Sequence, residues 1–176
     1  MKTTLTLAAL LGLAATAGAH VSLEQPQAEA GSAYKAVLRI GHGCEGSPTR
    51  AVSVTLPAGF RGAKPMPKPG WALAIRREPL AVPYESHGRR VTDDVVEITW
   101  SAASREAFLP DAHYDEFVLR GQAPLAVGPA WFRVHQLCEK GEWLWADIPT
   151  MADPQPRAPA ARLDVTAPDP HAGHKH

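Results

Sequence analysis

Short runs of alternating apolar and polar residues, broken by proline or glycine every few positions, dominate the chain. Val52, Val54 and Leu56 share one face of an extended segment, with Ser53 and Thr55 on the other. Val96, Ile98 and Trp100 alternate with Glu97 and Thr99, and Phe117 and Leu119 with Glu116, Val118 and Arg120. Phe132, Val134 and Cys138 share their face with one polar residue, Gln136. A period of two puts successive side chains on opposite faces of a strand, so these runs read as half-buried β-strands. The pattern predicts strands at 20–24, 35–41, 50–56, 71–77, 93–100, 115–121, 130–137 and 143–148. Only Ser101 to Leu109 suits a helical turn or two, and Pro110 ends it. Many short strands between turn signals predict an all-β, antiparallel sandwich or barrel.

The segments between and around these runs set the domain limits. Ala63 to Gly70 carries three prolines at alternate positions, which excludes helix and central strand and predicts an extended connector or edge. Lys2, the apolar stretch Leu5 to Ala15 and Ala17-Gly18-Ala19 form the basic, apolar and A-x-A parts of a secretory signal peptide cleaved after Ala19. The expected division is signal peptide 1–19, β-domain 20–150 and a Pro/Ala-rich tail 151–176. Five prolines over residues 153–170 leave that last stretch too little apolar content for a core, so it is expected to be disordered. No internal repeat is visible.

Charge narrows the partners. Lys plus Arg and Asp plus Glu both number 18, giving a formal net charge of zero without a basic block. Nucleic acid and anionic membrane surfaces are therefore poor partners. The apolar stretch at 5–15 is too short for a transmembrane helix, so no membrane insertion is expected after cleavage. Cys44 and Cys138 lie far apart in a chain expected to be exported, where a disulfide is the default state of such a pair.

Catalytic signatures are absent: there is no G-x-S-x-G, H-E-x-x-H or phosphate-binding glycine loop. Cleavage after Ala19 instead makes His20 the first residue of the mature chain. Its α-amine and imidazole can chelate one metal ion. The amine titrates near ~8 and so yields its proton to a metal more readily than a lysine does. Amine and imidazole nitrogens suit Cu(II), which prefers tetragonal nitrogen and oxygen ligands. His171, His174 and His176 form a second, auxiliary candidate, weakened by the entropy of ordering a tail. Trp143 and Trp145 share one side of a short strand, where an indole could lie over a bound cation. Glu116 points away from the face of Phe117 and Leu119, and Glu24 lies four residues from His20.

Several stretches together resemble the YcnI-like copper-binding domain family of exported bacterial proteins. They are His20-Val21, the run Gly41-His42-Gly43-Cys44-Glu45-Gly46-Ser47-Pro48-Thr49, and Lys64-Pro65-Met66-Pro67-Lys68-Pro69-Gly70-Trp71. Tyr114-Asp115-Glu116-Phe117 and Cys138-Glu139-Lys140-Gly141 through Trp145 complete the set. The likeness runs in order from about residue 20 to 149. It implies an immunoglobulin-like β-sandwich holding one Cu(II) through His20, with Glu116 as oxygen ligand and Trp145 against the metal. Trp143 leaves open which indole faces the copper. The cysteine pair resembles that of the proteobacterial branch, where it would bridge two parts of the sandwich.

The resulting expectation is a periplasmic Cu(II)-binding protein of copper trafficking and homeostasis, not an enzyme. Its partners would be the copper ion and other periplasmic copper carriers or a membrane copper transporter. Two alternatives stand beside it. One is a copper oxidative enzyme of the histidine-brace kind, which needs a second imidazole from His42, His87, His113 or His135. The other is a metal-free sandwich for adhesion or assembly.

Overall fold

Eleven strands organise residues 20–169, the part of the chain that the computed structural model describes. The expected signal peptide and the histidines at 171, 174 and 176 lie outside the described residues. In order the strands are β1 (Ser22–Leu23), β2 (Gln27–Glu29), β3 (Ala33–Ile40), β4 (Thr49–Thr55), β5 (Arg61–Pro65) and β6 (Trp71–Ser86). There follow β7 (Arg89–Ala102), β8 (Asp115–Gln122), β9 (Gly128–Cys138), β10 (Glu142–Trp145) and β11 (Ala161–Thr166). Among the described residues the one helical turn is a 3-10 turn at Arg105–Ala107.

The strands form two sheets facing each other, an immunoglobulin-like β-sandwich as expected. One sheet runs β1-β3-β8-β5, and the other runs β2-β11-β9-β4-β7-β6 with β10 also on β9. Alternation decides which face is inside. Leu38, Ile40, Phe117 and Leu119 fill the core from the first sheet, and Val52, Val54, Ile98, Trp100, Phe132, Val134 and Leu163 from the second. Edge-to-face aromatic contacts lock the layers, Phe60 on Phe132 at 5.5 Å and Trp71 on Phe117 at 5.2 Å between centroids. The Tyr34 hydroxyl donates to the Gln25 carbonyl at 2.5 Å and so ties the N-terminal segment to β3. Burial pushes that hydroxyl up to about 12, so it remains a donor throughout the neutral range.

The structure departs from the sequence expectations at the sheet edges. The proline-rich stretch does follow its expectation: Ala63 to Pro65 end edge strand β5, where missing N–H donors cost least, and the rest connects to β6. The predicted strands 71–77 and 93–100 are longer: β6 and β7 form a hairpin turned at His87-Gly88, both with positive φ as a tight hairpin turn requires. The larger correction concerns residues 151–169, which are not a disordered tail. Ala161, Leu163 and Val165 are buried while the residues between them are not. They form β11, antiparallel to β9 and parallel to β2. Composition averaged over the stretch hid a six-residue alternation that completes the core.

Cys44 and Cys138 form a disulfide with Cα atoms 6.0 Å apart, closing a separation of 94 residues. It joins the loop after β3 to the end of β9, one sheet to the other. Breaking it by the double substitution C44A/C138A is expected to lower unfolding free energy by roughly 4–5 kcal/mol on the chain-entropy model, read as a fall in denaturant midpoint.

Burying Leu163 and Val165 contributes about 1.5–3 kcal/mol each, a large part of a typical domain's stability of ~5–15 kcal/mol. A chain ending at residue 151 is therefore expected to lose cooperative thermal unfolding, whereas one ending at 169 keeps it. Equal melting of the two would show that β11 is dispensable.

Candidate metal centre

The loop after β3 is held rigidly. Cys44 and Ser47 exchange backbone hydrogen bonds around Glu45 and Gly46, both left-handed, the pattern of a type I′ turn. A Cβ on Gly43 would meet the Ser47 carbonyl oxygen at 1.9 Å, so only glycine fits there. The Gly43 N–H donates to Asp111 Oδ1 at 2.9 Å. His42 thus sits on a loop pinned at both sides.

Behind this loop lies the polar residue that interrupts the apolar face of β9. Gln136 is 1% exposed, and both ends of its amide are engaged. Nε2 donates to the His42 carbonyl at 2.6 Å and to Thr49 Oγ1 at 2.7 Å, while Oε1 accepts from the Trp145 indole N–H at 2.9 Å. Trp145, 2% exposed, is fixed in orientation by that bond. Trp143 stacks behind it at 5.0 Å and 25°, and the Arg157 guanidinium covers Trp143 at 4.9 Å. The Trp143 indole N–H is buried and has no hydrogen-bond partner among the described residues.

His20 is exposed, just ahead of β1, and its ring lies 5.9 Å from the Trp145 indole at 58°. His42 borders the same indole, 6.0 Å away and edge-on at 78°. Of the two tryptophans, Trp145 is the one that His20 touches. A cavity of about 460 Å³ opens beside His20, walled by Pro149, Pro154, Pro156, Arg157 and Pro159. Apart from Pro149, that wall is part of the stretch expected to be disordered.

The carboxylates lie further along the same sheet. Ser22 on β1 pairs with Arg39 on β3, which pairs with Glu116 on β8. Glu116 points away from the core, as its alternation with buried Phe117 and Leu119 predicts. Arg39 grips two carboxylates at once, Glu24 at 2.8 Å and Glu116 at 3.4 Å. Among the described residues no three His, Cys, Asp or Glu side chains converge as a ready-made metal cage. The structure brings His20 and Trp145 together and leaves Glu116 engaged with Arg39. Elsewhere, His135 pairs with Glu142 at 2.7 Å, His87 caps the β6–β7 hairpin and His113 follows a turn from Pro110.

The donor types fit Cu(II). The His20 imidazole and a carboxylate within the same sheet are borderline-to-hard ligands of the kind Cu(II) takes, and a chain beginning at His20 would add its α-amine. The thiols, which would suit Cu(I), are tied up as a disulfide.

A family model described as a domain of unknown function, DUF1775, matches residues 20–165. The fold is similar to the crystal structure of an uncharacterized protein from Nocardia farcinica reported to have an immunoglobulin-like fold. The TM-score is 0.67 at 23% identity, over 84% of this chain and 99% of that one. A cohesin, the seventh ScaB type I cohesin from Pseudobacteroides cellulosolvens, aligns with a TM-score of 0.40 at 10% identity, over 89% of this chain and 97% of that one. No curated protein matches the sequence.

Replacing Gln136 by leucine strands the Trp145 N–H and the His42 carbonyl inside the protein. Each unsatisfied buried group costs about 1–3 kcal/mol, so Q136L is expected to lose about 2–6 kcal/mol in denaturant unfolding. A loss below ~0.5 kcal/mol, the range of an inconsequential surface change, would contradict the role given to Gln136.

Proposed function

The chain belongs to the DUF1775 family, to which YcnI belongs, and on that footing we propose that it is an exported, periplasmic Cu(II)-binding protein of copper trafficking. Copper is the cargo. The α-amine and Nδ1 of His20 chelate it once the leader is cleaved after Ala19, Glu116 supplies an oxygen, and Trp145 lies against the ion. The observation that carries this reading is the contact between the His20 imidazole and the buried, hydrogen-bonded Trp145 indole. It sets the chelating residue against a fixed wall whose electron-rich face favours a cation.

Arg39 explains how Glu116 becomes available. Its contact with Glu24 is the shorter of the two, so Glu116 can turn to copper while the guanidinium keeps a partner. Exposed ion pairs contribute only about 0–1 kcal/mol, so the exchange costs little beside a metal–oxygen bond. The disulfide suits an oxidising compartment. Binding and release of Cu(II) at such a site need no catalysis.

The test is Cu(II) titration with electron paramagnetic resonance of the chain starting at His20, with His171, His174 and His176 replaced by alanine. The control carries one additional residue before His20. One tetragonal Cu(II) per chain is expected, lost or weakened by about a hundredfold, ~2.8 kcal/mol, in the control. Equal binding in both would overturn the proposal. E116Q is expected to weaken binding by about tenfold, ~1.4 kcal/mol, without changing the number of nitrogen ligands.

A further inference from the structure

We infer that His42 is a second imidazole ligand of the same copper site. The inference rests on His20 being the chelating residue and adds a donor to it. Three independent features of His42 carry it.

The first is position. The rings of His20 and His42 both border the Trp145 indole, at 5.9 and 6.0 Å. Among the other histidines considered for a brace, His87, His113 and His135, none has a ring contact with Trp145 in the described residues.

The second is the tautomer. His42 Nδ1 lies at hydrogen-bond distance from the Gly43 carbonyl oxygen. A carbonyl oxygen only accepts, so Nδ1 carries the proton and the neutral ring has its lone pair on Nε2. Metal-binding histidines are characteristically oriented in this way, with the second ring nitrogen donating to a carbonyl or carboxylate.

The third is preorganisation. The His42 carbonyl is held by buried Gln136, and the same amide fixes Trp145. Gly43 is bonded to Asp111 and packed too tightly for any Cβ. The loop is then tied across the disulfide at Cys44. A donor held this firmly loses little entropy on binding. With the His20 amine and imidazole it makes three nitrogens, the set a tetragonal Cu(II) favours.

The experiment is electron spin-echo modulation spectroscopy on Cu(II) bound to the chain starting at His20, with the three C-terminal histidines replaced by alanine, beside its H42A and H42Q variants. The unaltered loop is expected to give the combination lines of two imidazoles. Both His42 variants are expected to give the lines of one, with affinity weakened by about tenfold or more. The side-chain change leaves the carbonyl bond to Gln136 in place, and the spectrum of the chain retaining His42 reads out the result without either variant. Single-imidazole modulation in that chain, or unchanged affinity and spectrum in H42A, would overturn the inference while leaving the His20 site standing. Undiminished copper binding after one residue is added ahead of His20 would remove the His20 reading, and the inference with it.

Discussion

Everything around the candidate site depends on one buried amide. Gln136 sits on the core face of β9, where its neighbours are Phe132, Val134 and Cys138, and it is 1% exposed. Its two ends are bonded to β10 through Trp145, to β4 through Thr49 and to the loop after β3 through His42. Inside a low-dielectric core such bonds are strong and their loss is costly, so the three elements are held in one arrangement. The consequence is a tryptophan that cannot rotate and a histidine loop that cannot drift. Both imidazoles next to Trp145 therefore meet a surface of fixed shape.

The site draws on both ends of the folded chain. His20 enters ahead of β1, while the segment before β11 brings Arg157 onto Trp143 and a row of prolines beside His20. Prolines have already lost much of their conformational freedom, so a loop built from them stays ordered at little entropic cost. On the outer face of the other sheet, Arg39 shares itself between Glu24 and Glu116. One guanidinium against two carboxylates leaves this outer face with one negative charge in excess.

Much of the fold was legible because the central strands obey a strict alternation. The runs around Val52–Leu56, Val96–Trp100, Phe117–Leu119 and Phe132–Cys138 are the inner strands β4, β7, β8 and β9. The edges were less legible. β2 has three residues, too short for a period to register, and β5 and β6 carry prolines that only an edge strand tolerates. β11 repeats the alternation in Ala161, Leu163 and Val165, but proline-rich flanks outweighed six residues. At the site, chain position singled out His20, and the family resemblance, not alternation, marked Trp145. The outward direction of Glu116 was readable from its buried neighbours, but its engagement by Arg39 depends on strand register, which one sequence does not display. Gln136 was visible as the polar member of an apolar face. What it binds was not, because two of its three partners lie 87 and 94 residues away in the chain.

The central claim is that the mature N-terminus, set against Trp145, is where copper is held. The most direct measurement is a crystal structure of the chain starting at His20 with one equivalent of Cu(II), located by anomalous scattering at the copper edge. The account predicts one copper bonded to the His20 α-amine and Nδ1 and lying against the Trp145 indole. A copper found only on the C-terminal histidines, or bound with the His20 amine turned away, would contradict it.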